Sequence, residues 1–282
     1  MPFITTRSVS LSGQSEEVKL FYEDIGRGKP VILIHGWPLN HQMWEYQLNE
    51  LPKNNIRVIT YDRRGFGKSS RPWEGYDYDT FAADLKLLID ELDLTDVTLI
   101  GFSMGGGEVA RYLSKYNIEG RVTKAALISA VTPYLLKTDD NPTGVPQEQF
   151  DTIREQLEED RPKFLSSFVK SFYGVTLFNS PVSDDFLHHN LMLTFNSSGY
   201  STLKAMQAWA STDFRNDLRK ITIPVLVIHG KEDQNVPIDS SAEETIKLIP
   251  HAQYIIYDDA AHGLFYTHKH KFNEDLLEFI NS

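Results

Sequence analysis

Apolar and polar positions alternate along the chain with two periods. Short apolar, β-branched runs, typical of buried strands, are separated by longer segments with apolar residues at helical spacing. The runs predict strands at 3–11, 18–23, 31–34, 57–61, 97–100, 122–129, 225–228 and 253–257. The helical spacing predicts helices at 43–51, 79–92, 104–116, 240–249 and 271–280. The first two strands suggest an antiparallel hairpin, residues 26–30 a loop, and the later alternation a mostly parallel sheet with helices on both faces.

This alternation stops between residues 134 and 214, where the chain is rich in phenylalanine and charge and contains no strong strand pattern. A helical insertion between two strands of a parallel sheet predicts a cap over the carboxyl ends of the strands, where ligands bind in such folds. We therefore expect an α/β core of residues 1–133 and 215–282, with a helical cap of residues 134–214 inserted into it.

Composition narrows the classes of protein. The 282 residues are 41% hydrophobic, enough for the core of one large α/β domain or two small ones. A net charge of −11 argues against nucleic acid or an anionic membrane as partner. The chain has no cysteine, no signal-type segment and no apolar run near the ~20 residues of a membrane span. We expect a soluble, cytoplasmic protein.

The candidate nucleophile is Ser103, within Gly101-Phe-Ser-Met-Gly105. This G-x-S-x-G pattern lies between a predicted strand and a predicted helix, the context that a nucleophile elbow requires. So tight a turn forces the serine into a strained backbone region and excludes side chains at the flanking positions. The alternative is a glycine-rich turn with an incidental serine, and an acid and a histidine downstream decide between the two.

A serine nucleophile needs a base, and the base needs an acid that orients it. Glu232 and Asp233 both follow a buried strand, and the D-x-x-V-P spacing favours Asp233. His262 lies in the loop between the last strand and the last helix, which gives the order serine, acid, histidine expected after an elbow. His229, at the end of a strand, is interpreted as a packed core residue.

Two backbone N–H groups are needed for the oxyanion of the tetrahedral intermediate. We expect one from Met104, after the nucleophile, and one from Trp37, after the turn at His35 and Gly36. No H-E-x-x-H or other metal-binding motif occurs in the sequence, so a metal hydrolase is not expected.

Phenylalanines recur at every fourth position of the predicted cap, at residues 164, 168 and 172. Such a stripe forms either helix core or an acyl pocket under a lid, and the sequence leaves both open. We place Pro38, Val131, Phe168, Phe172 and Val236 in the substrate pocket.

With these residues in place, the chain resembles the α/β-hydrolase superfamily along nearly its whole length. More narrowly, it is similar to the bacterial aryl esterases and the cofactor-free, non-heme haloperoxidases, also called perhydrolases. The pentapeptide alone would indicate only the superfamily, whereas the matching stretches together indicate this subfamily. They are residues 35–39, 43–47, 61–67, 101–107, 109–112, 130–133, 172–174 and 273–277.

The resemblance implies Ser103, Asp233 and His262 as triad, and Trp37 and Met104 as oxyanion donors. It also implies a small ester substrate, whose acyl group passes from the serine to water or to hydrogen peroxide. The peracid then oxidises halide in solution, so no cofactor is needed. Pro38 restrains the residue before it, and our hypothesis is that the Trp37 carbonyl accepts a hydrogen bond from hydroperoxide.

Other functions remain open at this point. The same triad could serve a lactonase or an amidase of the γ-lactamase type, and a slow ligand-binding receptor on the same fold is a further alternative. Residues 176–206 match the family only loosely, which leaves the acyl and alcohol preferences undecided. Some members form dimers or larger rings, so a homo-oligomer is compatible with the sequence.

Overall fold

The computed structural model describes residues 2–9, 13 and 15–282. Its strands form one eight-stranded sheet in the order β1-β2-β4-β3-β5-β6-β7-β8. Their bounds are β1 Phe3–Val9, β2 Ser15–Gly26, β3 Lys29–Ile34, β4 Ile56–Tyr61, β5 Val97–Phe102, β6 Val122–Ile128, β7 Val225–Gly230 and β8 Gln253–Tyr257. Strand β2 is antiparallel to β1 and to β4, and the other pairs are parallel. The predicted hairpin is confirmed. Residues 10 and 11 of its predicted first strand and residues 12 and 14 of its predicted turn lie outside the described residues.

Helices connect the parallel strands, as predicted. Their bounds are α1 Glu45–Glu50, α2 Tyr78–Glu91, α3 Met104–Lys115, α4 Gln147–Phe172, α5 Asp184–Thr194, α6 Gly199–Ser211, α7 Arg215–Leu218, α8 Ala242–Leu248, α9 Leu264–Thr267 and α10 Lys269–Asn281. The loop predicted at residues 26–30 is shorter in the structure. Strand β2 continues to Gly26 and β3 begins at Lys29, because both strands pair with β4 in this segment. None of the helices in the described part of the chain is long and apolar enough to cross a membrane.

Both faces of the sheet are buried. Along β3, Val31 and Leu33 belong to one hydrophobic cluster, while Ile32 and Ile34 belong to a second cluster on the opposite face. Because successive side chains of a strand point to opposite faces, this division requires apolar cover on both sides. The α/β-hydrolase architecture predicted from the sequence is confirmed.

Helices α4, α5 and α6 lie between β6 and β7 in the chain, and α4 packs against the other two. Helix α4 has a kink at Asp160 (φ −150°, ψ 77°), two residues before Pro162, which lacks an N–H and clashes with the preceding turn. Helix α6 is tied to the loop after β3, since Trp37 Nε1 donates to the Thr202 carbonyl at 2.9 Å. Helix α6 therefore lies close to the carboxyl end of β3.

Candidate active site

Ser103 stands at the tight turn between β5 and α3. Its φ of 53° and ψ of −118° are values that a non-glycine residue adopts only when its surroundings enforce them. The Ser103 N–H donates to the Ile128 carbonyl at 2.8 Å, and the Ser103 carbonyl accepts from the Val131 N–H at 3.2 Å. The end of β6 thus holds the strained backbone in place.

The glycines that flank the turn have no room for a side chain. A Cβ atom on Gly105 would lie 2.6 Å from the Ile34 carbonyl oxygen, and one on Gly101 would clash with the carbonyl of Gly105. The close approach of helix α3 to strands β3 and β5 therefore depends on both glycines, as the steric interpretation of the pentapeptide expects.

Asp233 and His262 form a buried pair at the ends of β7 and β8. His262 Nδ1 lies 2.6 Å from Asp233 Oδ2, while Asp233 Oδ1 accepts hydrogen bonds of 2.9 Å from the N–H groups of Asn235 and Val236. Burial alone would raise the pKa of Asp233, but the facing histidines outweigh burial and hold this pKa well below its ordinary value. Asp233 is therefore a carboxylate. Glu232 is exposed.

The serine and the histidine meet in one narrow cavity. Apart from Ser103, His262 and the amide side chain of Asn235, apolar and aromatic side chains form its wall. The lining residues are Trp37, Ser103, Val131, Phe168, Trp209, Asn235, Val236 and His262. Because Nδ1 of His262 faces Asp233, its other ring nitrogen is the one left for Ser103.

The loop after β3 passes directly against Ser103. A Cβ atom on Gly36 would lie 3.1 Å from the Cβ atom of Ser103, and Trp37 lines the same cavity as the serine. Met104 is the first residue of α3, where backbone N–H groups lack partners within the helix. The two expected oxyanion donors are therefore on segments that adjoin Ser103.

His35 fixes the shape of this loop. Its Nδ1 lies 2.9 Å from the Gly36 carbonyl, and its Nε2 accepts from the Arg63 N–H at 3.0 Å. Burial, together with the positive charge of Arg63, lowers the pKa of His35 to about 3. The imidazole is therefore neutral, with one nitrogen donating and the other accepting.

A buried ion pair connects the loop to helix α3. Arg63 Nε donates to Glu108 Oε2 at 2.8 Å, and Arg63 NH2 donates to the His35 carbonyl at 3.1 Å. The Tyr61 hydroxyl donates to the other carboxylate oxygen of Glu108. Burial raises the pKa of Glu108 and lowers that of Arg63 to about 10, as expected for two ionisable groups without solvent.

A larger chamber of about 310 Å³ continues outward from the narrow cavity. The two share Trp37, Phe168, Trp209 and Asn235, so they adjoin. None of the described residues that line the chamber is charged. Its volume is at the lower end of the range for pockets that hold small organic molecules.

Comparison with known proteins decides the family, because the profile of the α/β-hydrolase fold matches residues 29–269. The chain belongs to the α/β-hydrolase family. A non-heme chloroperoxidase of Kitasatospora aureofaciens is 41% identical, with 100% of each chain covered. A bifunctional esterase/perhydrolase of Acinetobacter calcoaceticus is 36% identical, with 100% of each covered. The crystal structure of a bromoperoxidase from Bacillus anthracis is 45% identical, with a TM-score of 0.92 over 98% of this chain and 100% of that one. The predicted resemblance is confirmed.

The predicted pocket residues of this α/β hydrolase fall into two groups, those that line a cavity and those that do not. Val131, Phe168 and Val236 line the narrow cavity. Phe172 packs edge-on against the His262 ring at 4.8 Å, and Pro38, joined to Trp37 by a cis peptide bond, is buried. Neither of these two is among the described residues that line either cavity.

The sequence interpretation missed three residues of the site. Trp209 and Asn235 line both cavities, and His229 lies 3.3 Å from Asp233 Oδ2. Asn235 could have been found from its position two residues after the acid. No sequence pattern pointed to Trp209, because the approach of helix α6 to the cavity is a tertiary feature.

Proposed function

We propose that this protein is a serine hydrolase that cleaves small carboxylic esters through an acyl-enzyme on Ser103. The observation that carries the proposal is the buried Asp233–His262 pair, at 2.6 Å, whose histidine lines the same cavity as a strained serine. Relatives named as a bifunctional esterase/perhydrolase and a non-heme chloroperoxidase support this reaction class.

In the proposed mechanism, Ser103 Oγ attacks the ester carbonyl while His262 accepts its proton. Asp233 orients the imidazole and stabilises its charged form. The N–H groups of Trp37 and Met104 bind the oxyanion of the tetrahedral intermediate. When the intermediate collapses, His262 returns the proton to the leaving alcohol, and the acyl group stays on the serine.

The acyl-enzyme then reacts with water, which gives the carboxylic acid, or with hydrogen peroxide, which gives the peracid. In both cases His262 takes a proton from the acceptor and returns it to Ser103 Oγ as the acyl–oxygen bond breaks. We propose that the Trp37 carbonyl, held by the following Pro38, accepts a hydrogen bond from hydroperoxide. No cofactor takes part in these steps.

We propose further that residues 134–214 act as a cap that selects the substrate, above a core of residues 1–133 and 215–282. The tie between Trp37 and Thr202, and the place of Phe168 and Trp209 in the wall of the cavity, support this division. A cytoplasmic location stays a prediction, and a homo-oligomer stays compatible with the sequence.

The experiment compares the wild type with Ser103→Ala on p-nitrophenyl acetate, with and without hydrogen peroxide, bromide and a dye. The variant should lose about 10⁴- to 10⁶-fold in kcat, as expected when a triad nucleophile is removed. Bromination that depends on the serine indicates the perhydrolase reaction, and hydrolysis without bromination indicates a plain esterase. Hydrolysis that persists in the variant would contradict the proposed function.

A further inference from the structure

The triad carboxylate faces two histidines. Besides His262, the imidazole of His229 lies against it, with Nε2 at 3.3 Å from Asp233 Oδ2. His229 is the penultimate residue of β7 and is fully buried, as is the side chain of Asp233. No step of the proposed mechanism uses this second histidine.

The proton of His229 is placed by its neighbours. Nε2 lies 2.9 Å from the carbonyl oxygen of Val236, and a carbonyl can only accept, so Nε2 carries the hydrogen. The same N–H therefore faces both the Val236 carbonyl and the carboxylate of Asp233. Nδ1 is the bare nitrogen of this tautomer.

These contacts close a ring around the acid. The N–H of Val236 donates to Asp233 Oδ1 at 2.9 Å, while the carbonyl of Val236 accepts from His229. Val236 thus binds Oδ1 of Asp233 through its N–H. Its carbonyl is bound by His229, whose ring faces Oδ2. The side chain of Val236 lines the cavity of Ser103, so the clamp also fixes a wall of the site.

We infer that His229 is a positioning residue for Asp233: its N–H clamps the loop of residues 233–236 and shares the carboxylate with His262. The inference rests on the proposed function. Each N–H group that faces a fully buried carboxylate favours its charged form, which burial alone disfavours. The titratable side chains that act on Asp233 are those of His262 and His229, and both hold the pKa of Asp233 down.

Packing alone explains His229 less well. Its Nδ1 is buried without a hydrogen-bond partner among the described residues. A buried polar atom left in this state costs free energy, so a residue that only filled space would be replaced to advantage by an aliphatic side chain. The cost is offset if the other ring nitrogen performs a task that an aliphatic residue cannot.

Two variants separate these roles. His229→Gln keeps an N–H donor near the position of Nε2, whereas His229→Leu keeps the volume and removes the donor. We expect His229→Leu to lose about 10- to 100-fold in kcat, the effect of one hydrogen bond to a buried charged group. His229→Gln should recover at least half of this loss on a logarithmic scale. Burst titration of the active serine corrects both values for misfolded protein.

The pH profile and a spectroscopic signal complete the test. With one donor fewer, the carboxylate attracts the protonated triad histidine more strongly, so the acid limb of kcat/KM in His229→Leu should move to higher pH by about half a unit. The downfield proton resonance of the hydrogen bond between His262 and Asp233 should shift in His229→Leu and return toward the wild-type position in His229→Gln.

Equal kcat values, acid limbs and proton resonances in the Leu and Gln variants would overturn the inference and leave His229 a packing residue. The resonance is measured without substrate, so it decides the inference even if the wild type hydrolyses no ester. In that case the proposed function fails by itself, and the shift still shows whether His229 acts on the triad carboxylate.

Discussion

The two halves of the candidate site are built by different means. On the core side, backbone hydrogen bonds hold the candidate catalytic residues. Ser103 is fixed by Ile128 at the end of β6 and by Val131 just beyond it, and Asp233 is fixed by two N–H groups of its own loop. On the cap side, aromatic rings that pack edge to face form the wall of the narrow cavity. Trp37 meets Phe168 at 5.2 Å and Trp209 at 5.6 Å between ring centroids.

This difference determines what each half tolerates. Backbone geometry leaves few alternative arrangements, so changes on the core side should lower the rate of the reaction or the stability of the fold. Aromatic packing can rearrange around a changed side chain, so changes on the cap side should alter which ester fits. The following predictions test this contrast.

The largest effect on stability is expected at the buried ion pair below the elbow. Arg63→Leu removes the partner of Glu108, whose side chain is fully buried, and should lower the free energy of unfolding by about 3–5 kcal/mol. Urea denaturation measures this change. The double variant Arg63→Leu/Glu108→Leu should recover much of the loss, because no unpaired charge remains. A single variant as stable as the wild type would show that the pair does not support the core side.

A smaller effect is expected from His35, whose pKa is lowered from 6.5 to about 3. Below pH 6.5 the unfolded chain binds a proton at this residue and the folded protein does not, so the contribution to stability falls as the pH falls. Between pH 7 and pH 5 the wild type should lose about 2 kcal/mol more than His35→Asn. Denaturation at both pH values measures this.

The control for this measurement is His270→Asn, since His270 is exposed. This variant should keep the wild-type dependence of stability on pH. If His35→Asn also keeps it, the imidazole takes up a proton in the folded protein and does not hold the loop as a neutral group.

Sequence patterns were sufficient where local geometry determines the structure. Strand β8 has the predicted bounds, and the turn at Ser103 follows from the pentapeptide, because steric constraints between near neighbours in the chain operate whatever packs around them. The choice of Asp233 over Glu232 also agrees with the placement of the two side chains, although their roles remain a proposal.

The rest depends on contacts between distant segments. His229 was correctly expected to be buried, but its contact with Val236 depends on the path of a loop that hydrophobic periodicity does not describe. The residues of the stripe at Phe164, Phe168 and Phe172 differ in their surroundings, and their roles remain a prediction. Phe168 lines the two cavities, and Phe172 packs on His262. Periodicity identifies a helix face and not the surface that meets it.

On the cap side, Phe168→Ala should widen the narrow cavity beside Ser103. The ratio of kcat/KM for p-nitrophenyl butyrate to that for the acetate should rise by about tenfold, since one or two methylene groups in an apolar pocket have effects of this size. Phe164→Ala is the matched control, because Phe164 lines the outer chamber and is not among the residues around the narrow cavity. Equal ratios in both variants would mean that the acyl group does not lie against Phe168.

The smallest effect is expected where the core and the cap meet at the surface. Trp73, 66% exposed, stacks on Tyr200 of α6 with ring centroids 3.8 Å apart. Trp73→Ala should lower the free energy of unfolding by about 1 kcal/mol, as for other aromatic pairs, and leave kcat unchanged. Trp73→Phe, which keeps a stacking ring, should lose less. A tenfold fall in kcat in Trp73→Ala would contradict the contrast between the halves, because a surface contact of the cap would then control the geometry around Ser103.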